Sequence, residues 1–371
     1  MEKSLKFNRG DVGEGVLGAA LVAKFINRPK SLKDANVKLT KPMIDKVLDD
    51  IFKRPTHSKE YKVNDILVKQ NKISIDKINF SVNLPSAAAE LLSSKEDRKV
   101  VHDLYESSIE YIEDTWMKEI LIFATNGQID SVDISSDGVG DQKGTKADIK
   151  LKVNGKDYSR QISLKVKGGD QFFQVSGHEF EKQKTLWSDI LKLDIKKMES
   201  KYEQALKDYD KSQFFLSRED KRVEVIKDML KNATAIVYRE AAKQMQAKVK
   251  SKDAAFFTNL ATLVFQGATK GNETIELVSL ANGKFKQLRF NKDFIKTYAE
   301  ILKKTDLKIM FVEGIDPVVR VYAGAINKQN LIIQFRTKIA TESTTTKAGK
   351  KYSPYLRNIV ESGPSMFNLS K

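Results

Sequence analysis

Residues 146–167 read KADIKLKVNGKDYSRQISLKVK, and this stretch decides the fold. Apolar and polar residues alternate from Ala147 to Val153 and again from Gln161 to Val166. Alternation with a period of two indicates a β-strand that turns one face towards a core. The pair Asn154-Gly155 between the two runs favours a type I′ turn, which needs positive φ at both central residues. The stretch therefore predicts a β-hairpin.

The turn also predicts which residues of the hairpin face each other. A two-residue turn places Asp148 opposite Gln161, with Ser163 as the diagonal neighbour of Asp148. Lys165 follows on the same side, because residues two apart on a strand point the same way. We therefore expect these four side chains on one polar face, while the alternating apolar residues enter the core.

A carboxylate beside a lysine on one face of a central hairpin suits the hydrolysis of a phosphodiester bond. The carboxylate of Asp148 can hold a divalent cation that polarises the phosphate and lowers the pKa of bound water. The ammonium group of Lys165 can stabilise the developing negative charge or help to orient the attacking water. Mg²⁺ suits such a site because it prefers oxygen ligands and keeps waters and phosphates in its shell. Mn²⁺ is expected to substitute for it.

Three short motifs in this order resemble those of the PD-(D/E)xK nuclease superfamily, which includes many restriction endonucleases. They are Lys146 to Ile149, Ile162 to Lys165 and Gln171 to Gly177, and the resemblance covers roughly the first half of the chain. It implies an α/β (α+β) fold with a restriction-endonuclease-like core, in which helices flank a mixed central sheet.

The resemblance also implies a role for individual residues. Asp148 matches the metal-binding aspartate, Lys165 the catalytic lysine, and Gln174 the glutamine often found on the next strand. The segment Arg9 to Gly15 opens an apolar helix and is similar to the family's first helix, whose glutamate approaches the metal. Glu14 takes that role, so Asp148 and Glu14 are the expected metal ligands.

One departure from the family pattern concerns the acidic residue two places before the lysine, which is here Ser163. The change removes one metal ligand, so Ser163 is assigned a supporting role and Glu14 has to compensate. Structural interpretations stay open beside the catalytic ones. Glu14 follows Asp11 by three residues, as in a capping box, and Asp148 with Lys165 could form an ordinary cross-strand ion pair.

Composition narrows the class of protein. The 371 residues carry a formal net charge of +16, which favours a polyanionic partner such as DNA. There are no cysteines and only three histidines, so thiolate chemistry is excluded and His-rich metal sites are poorly supported. Carboxylates must carry any metal chemistry. The longest apolar run, around Val16 to Ala23, is far too short to span a membrane, so we expect a cytoplasmic protein.

Along the chain, the patterns predict three consecutive units. The first, residues 1–190, is the nuclease core with an insertion at about 30–110, and its apolar helix runs from Val12 to Ile26. Residues 191–270 form a helical arm, and residues 271–371 a C-terminal β-rich unit with five short predicted strands.

These observations predict a Mg²⁺-dependent DNA endonuclease of bacterial or phage origin. The first alternative is a DNA-binding or virion-associated protein that keeps the fold but, given Ser163, is catalytically weak or inactive. A scaffold whose basic helices bind a protein partner is the second. The oligomeric state stays open, with a homodimer as one option.

Overall fold

The predicted hairpin is present in a computed structural model of the chain. The structure describes residues 7–29, 34, 36–63, 66–125, 127–136, 147–158, 160–166, 171–176, 184–205, 207, 222–266, 275–290, 292–314, 316–346, 349–363, 365 and 369. Contacts between residues divide the chain into two units, each built from two segments. Unit 1 comprises Met1–Gly169 and Ala268–Asn291, and unit 2 comprises Asp170–Gly267 and Lys292–Lys371.

Unit 1 is built around a mixed sheet of nine strands. Its helices are α1 (Arg9–Ile26), α2 (Lys41–Lys53), α3 (Ser86–Ser93), α4 (His102–Thr115) and α5 (Met117–Thr125), with a 3₁₀ turn at Asp97–Val101. Its strands are β1 (His57–Val63), β2 (Ile66–Ile75), β3 (Ile78–Pro85), β4 (Val132–Ser136), β5 (Ile149–Val153), β6 (Lys156–Asp157), β7 (Gln161–Val166), β9 (Ile275–Ala281) and β10 (Lys284–Phe290). Strand order is β1-β2-β3-β4-β5-β7-β9-β10, with β6 paired to β5. The pairs β3–β4 and β7–β9 are parallel and the others antiparallel.

Unit 2 carries an antiparallel sheet of five strands. In the order β11-β12-β13-β14-β8 these are Leu307–Val312, Val318–Ala323, Leu331–Thr346, Gly349–Ser362 and Gln171–Ser176. The described helices are α6 (Lys196–Ala205), α7 (Arg222–Lys250), α8 (Ala254–Gln266) and α9 (Lys292–Lys304), with a π-helical turn at Thr185–Ile190 and a 3₁₀ turn at Lys328–Asn330. Helices α6 and α7 confirm the predicted helical character of residues 196–205 and 222–250, and the stretch 208–221 between them lies outside the described residues. Helix α9 was not predicted.

The division differs from the three consecutive units expected from the sequence. Strands β9 and β10, predicted as part of a C-terminal β-rich unit, complete the sheet of unit 1 instead. The reason is the parallel pairing of β9 with β7, which requires a crossover connection between the two strands. This crossover contains the segment Asp170–Gly267 of unit 2. Among the described helices, none combines the length and the apolar composition that a membrane span requires.

Helix α1 is the central element of the unit 1 core. It is buried from Asp11 to Phe25 and contacts β3, β4 and β7. Glycines on its inner side make this close approach feasible. A Cβ at Gly13 would lie 2.7 Å from Val166 Cγ2 of β7. One at Gly15 would lie 3.1 Å from Leu84 Cδ1 of β3 and 2.5 Å from Leu92 Cδ1 of α3.

Gly15→Ala is therefore expected to destabilise unit 1. In an exposed helix the change would stabilise by about 1 kcal/mol, but here an extra methyl group overpacks the core, which typically costs about 1–3 kcal/mol. Thermal unfolding should show a lower Tm for Gly15→Ala. Gly127→Ala is the matched control, because a Cβ there meets nothing within 4 Å. Equal Tm values for the two variants would show that the core yields to the added methyl group.

Candidate functional site

The hairpin turn forms as the sequence predicts, but the register beyond it is different. Asn154 and Gly155 have φ values of 49° and 75°, as a type I′ turn requires, and the short strand β6 pairs with β5 directly after the turn. In β7 the pairing is Ile149 with Ile162, which places Asp148 opposite Ser163. The prediction that Asp148 faces Gln161 is therefore wrong by two residues.

The register shift has a physical cause in the side chain of Gln161. Its Oε1 accepts a hydrogen bond from Leu151 N at 3.1 Å, and its Nε2 donates to Leu151 O at 3.0 Å. Oε1 of Gln161 thus takes the place of a backbone acceptor for Leu151 N, whereas Leu151 O also accepts from Tyr158 N at 2.9 Å. Gln161 therefore has a structural role in closing the hairpin. In the resulting register Asp148 lies opposite Ser163 instead of Gln161.

Asp148, Ser163 and Lys165 meet on the hairpin. Asp148 Oδ2 accepts hydrogen bonds from Leu164 N at 2.6 Å and from Ser163 Oγ at 3.2 Å. Lys165 Nζ lies 3.6 Å from the same carboxylate oxygen and 3.2 Å from Ser163 Oγ. The predicted grouping of these three side chains is therefore present.

Helix α1 brings Glu14 to the same place. The helix begins at Arg9, and its N-cap is Asn8, whose side chain accepts from Gly10 N at 3.0 Å. The alternative interpretation of Asp11 and Glu14 as a capping box is therefore wrong, because Glu14 lies in the second turn and not at the third helical position. Glu14 is only 9% exposed, and its Oε2 accepts from Ser136 Oγ of β4 at 3.5 Å.

The electrostatics show that Glu14, Asp11 and Asp148 act on one another. The pKa of Glu14 is raised well above its ordinary range, first by burial and then by the charges of Asp148 and Asp11, while Lys165 and the Ser136 hydrogen bond lower it. The pKa of Asp11 is also raised, mainly by burial and further by Asp148, against the hydrogen bond with Asn8. The charges of these three carboxyl groups and of Lys165 thus influence one another across a partly buried region.

Asp11 is the member of this group that the sequence interpretation treated only as a cap. The signal that could have identified it is the spacing Asp11-x-x-Glu14, since helical residues three apart lie on one side of the helix. Ser136, the hydrogen-bond partner of Glu14, had no such local signal, because only the sheet pairing brings β4 beneath α1.

Asp148 and Glu14 fit a Mg²⁺ ion that has only two protein ligands. Mg²⁺ commonly binds through one or two carboxylates together with waters and substrate phosphates, which Asp148 and Glu14 could supply. In the part of the chain that the structure describes, no three Asp, Glu, His or Cys side chains are grouped to hold a metal ion. The serine at position 163 accounts for this, since an acidic residue there would lie directly beside Asp148.

A second charged cluster in unit 1 is structural. Arg160, 3% exposed, donates to both carboxylate oxygens of Glu276 and to the backbone and hydroxyl oxygens of Thr115. Its guanidinium also lies 4.0 Å from the ring centre of Trp116 and 3.0 Å from Glu119. Since protein groups satisfy this arginine on all sides, the cluster ties β9 to the helices and offers no ligand position.

Gln174 belongs to a different sheet. It lies on β8 and pairs with Ile359 of β14 in unit 2, whereas Glu14, Asp148, Ser163 and Lys165 all lie in unit 1. The order of the motifs had suggested that the strand with Gln174 lies next to the hairpin in one sheet. The two belong to different sheets.

Comparison of the chain with protein-family models, with characterised proteins and with solved structures finds no match. The likeness to PD-(D/E)xK nucleases therefore rests on the residues of the hairpin and of α1.

Proposed function

We propose that the protein is a Mg²⁺-dependent DNA endonuclease whose unit 1 is a restriction-endonuclease-like core. The observation that supports this most directly is the grouping of Asp148 with Lys165, 3.6 Å apart, beside the buried carboxyl of Glu14. An ordinary cross-strand ion pair would account for Asp148 and Lys165. It would not account for a buried glutamate whose pKa is raised by burial and raised further by the charges of Asp148 and Asp11.

Each residue of the site is assigned a separate role in this proposal. Asp148 and Glu14 would hold Mg²⁺, which when bound polarises the scissile phosphate and lowers the pKa of a water molecule. Leu164 N and Ser163 Oγ both donate to Asp148 Oδ2 and so orient the carboxylate. Lys165 would stabilise the negative charge that develops on the phosphate. Ser163 is a positioning residue between Asp148 and Lys165.

DNA is the proposed substrate because of the charge of the chain. A net charge of +16 attracts a polyanion over long range, and a lysine at the site suits a phosphate. We place the enzyme in the cytoplasm of a bacterial or phage-infected cell, in line with the Lys-rich composition.

A second function, DNA binding with weak or no cleavage, is favoured by one specific observation. Ser163 stands where an acidic ligand would complete the site, and no group of three potential metal ligands is found among the described residues. Such a protein would keep the basic surface and lose efficient chemistry.

The two functions differ in the result of one assay. Purified protein incubated with supercoiled plasmid should nick or linearise it with Mg²⁺ or Mn²⁺, stop when a chelator is added, and resume when the metal is restored. A circular substrate has no ends, so cleavage there identifies an endonuclease. Plasmid that is retarded on a gel but stays supercoiled with either metal would favour the DNA-binding alternative. Nicking that persists in chelator would contradict both.

A further inference from the structure

The sheet of unit 1 has one apolar and one polar face between β2 and β5. Phe80, Ile134 and Leu151 are buried on the face that packs with the helices. The strand pairing places the intervening residues on the opposite face in two rows across the strands. One row is Ser74, Asn79, Asp133 and Lys152, and the other is Lys72, Ser81, Ser135 and Lys150.

This polar face is open and mostly basic. Lys72 and Lys152 are exposed, and Lys150 is partly exposed. On β1, Lys59 is exposed and points the same way, because His57 pairs with Lys72 and residues two apart share a face. We call Lys59, Lys72, Lys150 and Lys152 the basic strip.

Few acidic groups oppose the strip. In the described strands β1 to β5, Asp133 lies on the same face and accepts a hydrogen bond from Asn79 at 2.7 Å. Asp157 of β6 lies 3.7 Å from Lys152. Glu60 points to the other face, where it lies near Lys69. The face therefore carries an excess of positive charge, complementary to a polyanion.

The strip continues directly into the candidate site. Lys150 follows Asp148 by two residues on the same face, a distance of about 7 Å along a strand. From Lys150 the row runs through Ser135 and Ser81 to Lys72 on β2. Strands are about 4.8 Å apart, so the strip from β1 to β5 is about 19 Å wide, which is the length of about five or six base pairs at 3.4 Å each.

We propose that the basic strip is a track for the phosphate backbone of duplex DNA, leading to Asp148 and Lys165. This inference rests on the proposed function, since it assigns the path by which the substrate reaches that site. The hydroxyl and amide groups between the lysines add hydrogen-bond donors that suit phosphate oxygens without selecting a base sequence.

The test is DNA binding by a matched pair of double variants. A short fluorescent DNA duplex is titrated in chelator, so that cleavage does not interfere, with Lys72→Gln/Lys150→Gln and with Lys62→Gln/Lys118→Gln. Lys62 lies on the other face of β1 and Lys118 on α5, and both are exposed. The two variants lose the same charge from the same unit. Unchanged Tm values show that each is folded.

We expect the strip variant to bind at least about tenfold more weakly than wild type at 0.1 M salt. The slope of log affinity against log salt should become shallower by about 1.8, at about 0.9 for each lost phosphate contact. The control should stay close to wild type, and Lys72→Arg/Lys150→Arg should restore binding. Equal losses in strip and control variants, or no loss in either, would overturn the track.

The binding and cleavage assays distinguish failure of the proposed nuclease function from failure of the strip proposal. If wild type binds the duplex through the strip but never cleaves plasmid, the nuclease assignment fails and the strip stands as a DNA-binding surface. If wild type does not bind the duplex at all, the strip proposal is overturned whatever the cleavage assay shows.

Discussion

Asp148→Asn is expected to lower the rate of Mg²⁺-dependent plasmid nicking by at least about 100-fold, the loss that follows when one charge-stabilising group is removed from an active site. The asparagine side chain keeps an oxygen that can accept from Leu164 N and Ser163 Oγ, so the hairpin should remain folded. What disappears is the negative charge that would hold the metal. Initial nicking rates over a series of Mg²⁺ concentrations measure the effect.

The matched control is Asp114→Asn, which removes the same charge from an exposed position on α4. It should nick at the wild-type rate. Lys165→Met gives a second comparison, because loss of the ammonium group should reduce nicking while duplex affinity falls only slightly. Asp148→Asn that nicks as fast as wild type at every metal concentration would contradict the assignment of the site.

The hairpin was readable from the sequence because its signals are local. The alternation fixes which residues of β5 and β7 enter the core, and a one-residue slip would bury Asp148 and Lys165. The turn is signalled by Asn154 and Gly155, two residues that readily adopt the positive φ values found there. These two local rules were enough to group Asp148, Ser163 and Lys165.

The register could not be read, because it depends on a side chain that replaces a backbone partner. Gln161 bonds to both backbone groups of Leu151, which lets the strands shift by two residues at little cost in hydrogen bonds. A shift of the pairing by two residues keeps every side chain on the same face of the sheet. The alternation is therefore satisfied in either register and does not distinguish them.

The start of α1 and the division into units depend on tertiary structure for similar reasons. Asn8 and Asp11 are both good N-cap residues, and burial of the helix from Asp11 onward favours the earlier start. The path of the chain out of unit 1 after β7 and back at β9 leaves no local trace. Strand patterns therefore identified β9 and β10 but not the sheet that they join.

Glu14→Gln is expected to have opposite effects on activity and stability. Loss of one metal ligand should reduce Mg²⁺ affinity and cleavage by at least about 10-fold. Stability should rise at neutral pH, because the glutamine avoids burying a charge near Asp11 and Asp148. A structural carboxylate would show the reverse, with lost stability and unchanged cleavage.

The way in which stability depends on pH follows from the raised pKa of Glu14. The folded protein holds the proton of Glu14 more tightly than the unfolded chain does, since burial raises the pKa of this carboxyl. The stability of wild type therefore falls as pH rises above the ordinary glutamate pKa of about 4.3, until the pH passes the raised value. Glu14→Gln lacks this loss, so its Tm should exceed that of wild type at about pH 8 and approach it at about pH 4.

Melting curves with and without Mg²⁺ complete the test. A bound cation stabilises the folded state by an amount that grows with the logarithm of its concentration relative to Kd, and this amount is about 2.7 kcal/mol at 100 times Kd. Mg²⁺ should therefore raise the Tm of wild type more than that of Glu14→Gln at about pH 8, which narrows the gap between them. Glu110→Gln, an exposed change on α4, should follow wild type in every condition. A Tm of Glu14→Gln below wild type at both pH values, with Mg²⁺ shifting both proteins equally, would assign Glu14 to the core and remove it from the metal site.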